Sequence, residues 1–403
     1  MTNIQGRSFK PVYLDHNATS SLAVEIAPLL AGWAQQWGNP SSIHQWGRGP
    51  KALIREARQA LAQMIGAHPL EVVWTSGGSE ANNQAIKGCF AQFRRRALEK
   101  NEVLRNEYLM SGVEHPSVAQ TMRSLEALGA VVKVIPVNCR GELDLEYIKE
   151  NLSERTALVS VMYANNETGH IFPIKKIVDM AHQMGALVHC DAVQALGKVP
   201  VDVKAWGVDM ASFSGHKFYA LKGVGALYLR KGTVIESLIH GGRQERSRRA
   251  GTENVLAIAS LGHMAKQAHR LQAMYETVKG LRDKMESGIL QEISGVRVTG
   301  AEGARLPNTS SMVIEGVDGE TLLMNLDIEG YAVSTGAACS SGSPEPSPVL
   351  LAMGLSREEA QSSLRLSLGW TTTDEEVEAF VQTLKIVVSR LRSLKKGEGV
   401  CNG

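Results

Sequence analysis

Lys217 lies in Ala-Ser-Phe-Ser-Gly-His-Lys-Phe-Tyr (211–219), an apolar run that stops at a Ser-Gly-His-Lys turn. A lysine just past a strand end stands where an open α/β sheet binds its ligands. Such an amine can form a Schiff base with an aldehyde cofactor, and pyridoxal phosphate (PLP) is the candidate that uses this chemistry. The same position also suits a solvated loop lysine. The neighbouring motifs separate the two readings.

Four further segments place polar groups after apolar runs. Thr-Ser-Gly-Gly-Ser-Glu-Ala-Asn-Asn (75–83) follows 71–74. Gly77 and Gly78 allow close backbone approach, and Ser79 can open a helix whose free N–H groups hold a phosphate. No Gly-Lys-Ser/Thr or GxGxxG follows, so it is neither a Walker A loop nor a dinucleotide fingerprint. His115 follows 108–111, Asn165-Asn166-Glu167-Thr168-Gly169 follows 157–163, and Asp191 follows 186–190 with Gln194 three residues on. Each has an ordinary structural use as a cap or a turn. Together they supply a phosphate anchor, a ring-stacking group, substituent hydrogen bonds, an acid for a pyridine nitrogen and a covalent tether.

Cys339 sits in Ser-Thr-Gly-Ala-Ala-Cys-Ser-Ser-Gly-Ser-Pro-Glu-Pro-Ser-Pro (334–348), a composition that cannot build a core element. An exposed thiol there can act as a nucleophile in its thiolate form. Cys89, Cys139 and Cys190 read instead as small buried hydrophobes, and Cys401 belongs to the tail Lys-Lys-Gly-Glu-Gly-Val-Cys-Asn-Gly.

The elements that position these groups follow from periodicity. Seven apolar runs (71–74, 108–111, 131–137, 157–163, 186–190, 209–213, 224–229) alternate with helical patterns, which predicts a mainly parallel sheet covered on both faces. Pro50 to Ile65 predicts a helix with Pro50 at its first position and Gly66 as its left-handed cap. The patterns 119–128 and 175–184 end at Gly129 and Gly185 in the same way. Beyond about residue 255 the texture becomes helix-rich and reads as a separate domain. There the capping box Thr373–Glu376 leads an apolar stripe from Val377 to Leu391.

With 403 residues the chain has room for two domains. A net charge of +2 gives no reason to expect nucleic acid or an anionic membrane. Five cysteines without CxxC or metal-finger spacing predict a reducing compartment and no metal site. No signal pattern or membrane-length apolar run is present, so a soluble cytoplasmic protein is expected.

The ordered motifs YLDHNAT (13–19), GNPSSIH (38–44), TSGGSEANN, EHPSV, NNETG, CDAVQALGK, SFSGHK, RRAGTENV, STGAACSSGSPEPSPVL and SLRLSLG resemble the cysteine desulfurases of the NifS/IscS type from about residue 13 to 370. The resemblance implies the PLP-dependent transferase fold type I (aspartate-aminotransferase-like). Its large α/β domain (16–260) holds a seven-stranded, mainly parallel sheet. A smaller α+β domain (1–15 and 261–403) carries the cysteine loop at about 334–348.

By resemblance Lys217 tethers PLP and shuttles a proton, Asp191 pairs with the pyridine nitrogen, Gln194 with the ring oxygen, and His115 stacks on the ring and acts in acid–base steps. Gly78, Ser79, Ser214 and His216 would hold the phosphate, with Thr252 from the other subunit of a homodimer. Asn39, Asn165 and Arg365 would position the carboxylate of L-cysteine, an arginine fork suiting a carboxylate. Cys339 would receive the sulfur as a persulfide and pass it to a sulfur-acceptor or iron–sulfur scaffold protein.

The sequence departs from the family pattern at Gly241-Gly242-Arg243, at Arg249-Ala250-Gly251-Thr252 and at Ser347-Pro348. A selenocysteine lyase or an aminotransferase on the same scaffold is the alternative among enzymes. A PLP-fold binding subunit would be expected to lose at least one of Lys217, Asp191, His115 and Cys339.

Overall fold

The computed structural model describes residues 11–335 and 345–398, so Cys339 and Cys401 lie outside the described residues. In chain order the strands are β1 (Val12–Tyr13), β2 (Val72–Thr75), β3 (Glu107–Ser111), β4 (Val131–Ile135), β5 (Thr156–Ser160), β6 (Leu187–Asp191), β7 (Met210–Ser214), β8 (Gly225–Leu229), β9 (Val296–Val298), β10 (Thr309–Ile314), β11 (Tyr331–Ala332) and β12 (Ser363–Ser367). The seven apolar runs of the sequence become β2 to β8, joined in the order β2-β8-β7-β6-β5-β3-β4. All pairings are parallel except those of β8, which runs against both β2 and β7. Strands β2, β5, β7 and β8 are buried throughout, as expected of a sheet covered on both faces.

Helices enter and leave this sheet through glycines. Gly66, Gly129 and Gly185 have φ of 70°, 92° and 68°, the left-handed conformation that a side chain would oppose. The second helix starts earlier than its proline suggested. It spans Gln45–Met64 with Pro50 inside it, a correction to the expected start. Without a proline N–H, the Trp46 carbonyl receives no helical bond from position 50. Gly38 packs against that carbonyl so closely that a Cβ would lie 2.1 Å away.

After residue 255 the chain is not purely helical. Strands β9, β10 and β12 form an antiparallel sheet in the order β12-β10-β9, and β1 pairs with β11. The helix Ala268–Glu292 packs against β9 and β10, and the helix Asp374–Glu398 packs against that helix. The predicted capping box is present: Glu376 N–H donates to Thr373 Oγ1 at 3.3 Å, and Thr373 N–H to Glu376 Oε2 at 3.1 Å. Val377, Phe380, Val381, Leu384, Val387 and Val388 are buried along its stripe. Asp15 bridges to Ser367, so the N-terminal strand passes beside β12 and delivers Asn17 to the edge of the large sheet.

Candidate active site

The C-terminal ends of β2, β3, β6 and β7 open into one cavity of about 520 Å³. Gly78 and Ser79 come from the turn after β2, His115 from the turn after β3, and Asp191 and Gln194 from the end of β6. Ser214, His216 and Lys217 follow β7, and Arg365 reaches in from β12. These nine predicted residues share a single space.

The helix Gly78–Lys100 begins at Gly77 without a side-chain cap, so its first-turn N–H groups stay open beside Ser79. The structure puts Ser79 inside the first turn, not at the cap position. A Cβ on Gly78 would lie 2.7 Å from Val193 Cγ2, so only glycine lets β6's loop approach this turn. Ser214 and His216 border the same corner. Burial, with the cations of Lys217 and Lys222, lowers the His216 pKa to about 4 and keeps its ring neutral.

Lys217 Nζ donates to the carbonyls of Asn17 and Ala18, each at 2.5 Å. Burial lowers its pKa to about 8, Arg365 adds to the lowering, and Asp15 and Asp191 oppose it. The neutral amine, which is the nucleophile, is therefore accessible near neutral pH.

Asn17, from the YLDHNAT segment, is a buried hub that the sequence reading did not single out. Its Nδ2 donates to Asn166 O (3.0 Å) and Thr309 Oγ1 (2.8 Å). Its carbonyl accepts from Gln194 Nε2 at 3.0 Å. Lys198 was also missed. It is buried behind Gln194 and donates to Gln194 Oε1 (2.6 Å) and Asn17 Oδ1 (2.9 Å). Burial, then the cations of Lys217 and Arg365, holds the Lys198 amine well below the ordinary lysine range.

On the other side a chain of hydrogen bonds runs from Asp191 to His115. Asn82 Nδ2 donates to Asp191 Oδ2 and to Ser117 Oγ, both at 2.8 Å. Ser117 Oγ therefore gives its own hydrogen to His115 Nδ1 at 2.7 Å, and the Ser117 N–H points to the same nitrogen at 3.1 Å. With Nδ1 an acceptor twice over, the neutral ring carries its proton on Nε2. Burial lowers the His115 pKa against the pull of Asp191, and Lys217 adds to the lowering. His115 thus caps the helix Pro116–Glu126 and lines the cavity at once. Asp191 likewise accepts from Val193 N–H through Oδ1 at 3.0 Å, leaving its carboxylate fixed beneath the cavity.

Arg365 donates to Asp15 Oδ1 (2.8 Å) and to the Asn166 carbonyl (3.4 Å), while its buried Nε has no partner among the described residues. Two carboxyls nearby are raised. Burial lifts Glu114 to about 8 against the hydrogen bonds of Ser111 and Met162, and lifts Glu167 to about 7 against the Ser347 bond and Arg365. Ser347 donates to Glu167 Oε2 and caps the helix Pro348–Ala352 through Leu350 N–H at 3.1 Å. Pro348 thus occupies the first helical position, where its missing N–H costs nothing.

Three predicted residues do not line the cavity in this chain. Asn165 is buried with its Oδ1 taken by Glu167 N–H (2.8 Å) and Thr168 N–H (2.9 Å), and its Nδ2 directed at Val113 O (3.2 Å). The turn reading describes its contacts, and its neighbour Asn166 faces the cavity instead. Asn39 is exposed and accepts from Ser41 N–H at 2.9 Å. Thr252 is exposed on the 241–252 segment. Arg243 is also exposed and away from the cavity, ahead of a turn in which Glu245, Arg246 and Ser247 have φ of 46°, 57° and 63°. Buried Glu245 holds that strained turn by gripping Arg58 at 2.5 and 2.7 Å and the Trp74 N–H at 3.0 Å.

The residues fit PLP. An uncapped helix start and a glycine cradle suit its phosphate, a fixed carboxylate suits its ring nitrogen, and a lysine with a lowered pKa suits its aldehyde. Fold and site together define a PLP-dependent enzyme of the aspartate-aminotransferase type. The family described as Aminotransferase class-V matches residues 12–380. The chain is 44% identical over 386 residues to a cysteine desulfurase of Cereibacter sphaeroides, covering 95% of this chain and 97% of that protein. It is 42% identical over 386 residues to cysteine desulfurase NifS of Azotobacter vinelandii, with 95% and 94% covered. A solved structure of a NifS-like protein superposes with a TM-score of 0.86 at 34% identity, over 94% of this chain and 100% of that one. The chain belongs to the aminotransferase class-V family, in its cysteine desulfurase branch of the NifS/IscS type.

Proposed function

We propose that this protein takes sulfur from L-cysteine, releases L-alanine, and holds the sulfur on Cys339 as a persulfide for transfer to an acceptor. The observation that carries the reading is the gathering of Lys217, Asp191, His115, Gln194 and Arg365 around one cavity at the sheet's C-terminal edge. When bound, PLP supplies an electron sink for the bonds at the substrate Cα. Arg365 receives the substrate carboxylate. Lys217 takes and returns the proton at Cα, and His115 Nε2–H serves as an acid. The Cys339 thiolate attacks the substrate sulfur, so an S–S bond forms as the C–S bond breaks. The electron pair of the C–S bond stays with carbon, which takes up a proton and leaves as alanine.

Several finer assignments complete the proposal. Thr252 reaches the phosphate of the other subunit's site in a homodimer, and Asn39 joins the substrate carboxylate once that dimer is assembled. The large domain is 16–260 and the small one 1–15 with 261–403. The enzyme works in the cytoplasm, where thiols stay reduced, and serves an iron–sulfur scaffold or another sulfur acceptor.

Alanine and sulfide release from L-cysteine with a reductant, measured for the wild type and Cys339→Ser beside their visible spectra, tests this. The visible cofactor band is expected in both, with sulfur release from the wild type alone. Undiminished persulfide formation in Cys339→Ser would sink the assignment.

A further inference from the structure

Lys198 lies in the wall behind the cavity, 3% exposed, and none of the steps above uses it. Among the described residues no carboxylate lies within ion-pair distance of its amine, although a buried lysine without one is costly. We infer that Lys198 is a positioning residue that holds Gln194 with its N–H end toward the cavity, as a donor to the ring oxygen of bound PLP. This rests on the ring placement over Asp191 and Gln194 proposed above.

The two ends of a carboxamide are nearly equal in shape, so its partners decide which way round it sits. Asn17 Nδ2 faces the Asn166 carbonyl, which makes Asn17 Oδ1 the acceptor end, and Asn308 Nδ2 also donates to it at 3.1 Å. Lys198 therefore has N–H to give to Asn17 Oδ1, and it gives a second to Gln194 Oε1 at 2.6 Å. Charged or neutral, a lysine amine has enough hydrogens for both. With Oε1 so held, Gln194 Nε2 meets the Asn17 carbonyl at 3.0 Å and keeps one N–H for the cavity that it lines. The Asn17 carbonyl is a weaker guide by itself, since Lys217 donates to it too. Without Lys198 the amide can turn its oxygen to the cavity and repel an anionic ring oxygen. Lys198 does not line the cavity, so it acts through Gln194.

The test is a pH titration of the visible band of the holoenzyme in the wild type, Gln194→Leu, Lys198→Met and the double variant. A donor to the ring oxygen stabilises its negative charge most in the deprotonated form of the bound cofactor, so losing the donor raises the midpoint. Each single variant is expected to raise it by about one pH unit, and the double variant by no more than Gln194→Leu alone. A midpoint that rises in Gln194→Leu but not in Lys198→Met overturns the role of Lys198. Fully additive shifts overturn it too, because they mean a charge effect independent of Gln194. An unchanged midpoint in Gln194→Leu removes the ring placement and this inference with it. Lys198→Leu, which likewise leaves Gln194 Oε1 without that donor, gives the same reading if the methionine variant does not fold.

Discussion

The two ends of the large sheet both carry ionisable groups and treat them in opposite ways. At the N-terminal end, Asp209 accepts from Val188 N–H at 2.9 Å and lies 2.9 Å from His182 Nε2 and 3.4 Å from Arg230. Glu107 meets Lys133 at 3.1 Å and Ser153 at 2.8 Å; burial pushes its pKa up, but these hydrogen bonds outweigh it and hold it below the ordinary range. Each of these two acids has its cation. At the C-terminal end, Lys217 and Lys198 are lowered, and Glu114 and Glu167 are raised. Asn82 Oδ1, Glu114 Oε2 and Arg365 Nε stay buried without partners among the described residues. Matched charges hold a fold together, whereas unmatched ones at a strand's C-terminal edge mark where a ligand completes the set.

Substituting one aspartate at each end separates the two roles most sharply. Asp191→Asn should lower kcat by about 10²-fold with little change in stability. Asp209→Asn should leave kcat within about twofold and cost about 1–3 kcal/mol in urea unfolding, since it strips partners from buried groups. A catalytic loss in the second variant equal to that in the first would erase the distinction.

A smaller effect concerns Lys217. With its pKa at about 8 against an ordinary 10.5, the rate at which apoprotein takes up PLP should rise through a midpoint near pH 8. A midpoint near that of a free lysine would mean that the cavity does not tune the amine.

The smallest expected change is in the pH dependence of stability. The Glu114 pKa is about 8 in the fold against 4.5 ordinarily, so between those values the fold keeps a proton that the unfolded chain releases. Stability from this group is full below about 4.5 and declines as pH rises towards 8. Glu114→Gln keeps the shape of the protonated acid, so its melting temperature should fall less between pH 5 and 8 than that of the wild type. Parallel curves for the two proteins would contradict the raised pKa.

The seven strands and the order of their polar endings were legible because a covered parallel sheet writes itself as short apolar runs. The residues behind the first layer were not. Asn17, Asn82 and Lys198 matter through side-chain hydrogen bonds that, the bond from Lys198 to Gln194 apart, reach residues 35 to 292 positions away, which no local pattern encodes. Asn165 and Asn166 differ only in that an Asx turn draws the first amide back onto its own backbone. Strands β9, β10 and β12 escaped notice although β10 and β12 are as long as those of the large sheet, because they lie between long helices and SLRLSLG reads as a motif rather than as a strand. Pro50 misplaced a helix start because proline fits a first turn best, and here the chain tolerates it in the second.

Buried Lys198 and half-buried Lys217 both stand on Asn17, and the covalent role is proposed for Lys217. Borohydride reduction of the holoprotein followed by peptide mapping decides the matter directly. The pyridoxyl group is expected on Lys217, with Lys198 unmodified; a pyridoxyl group on Lys198, or on a lysine outside the cavity, would contradict the covalent role of Lys217.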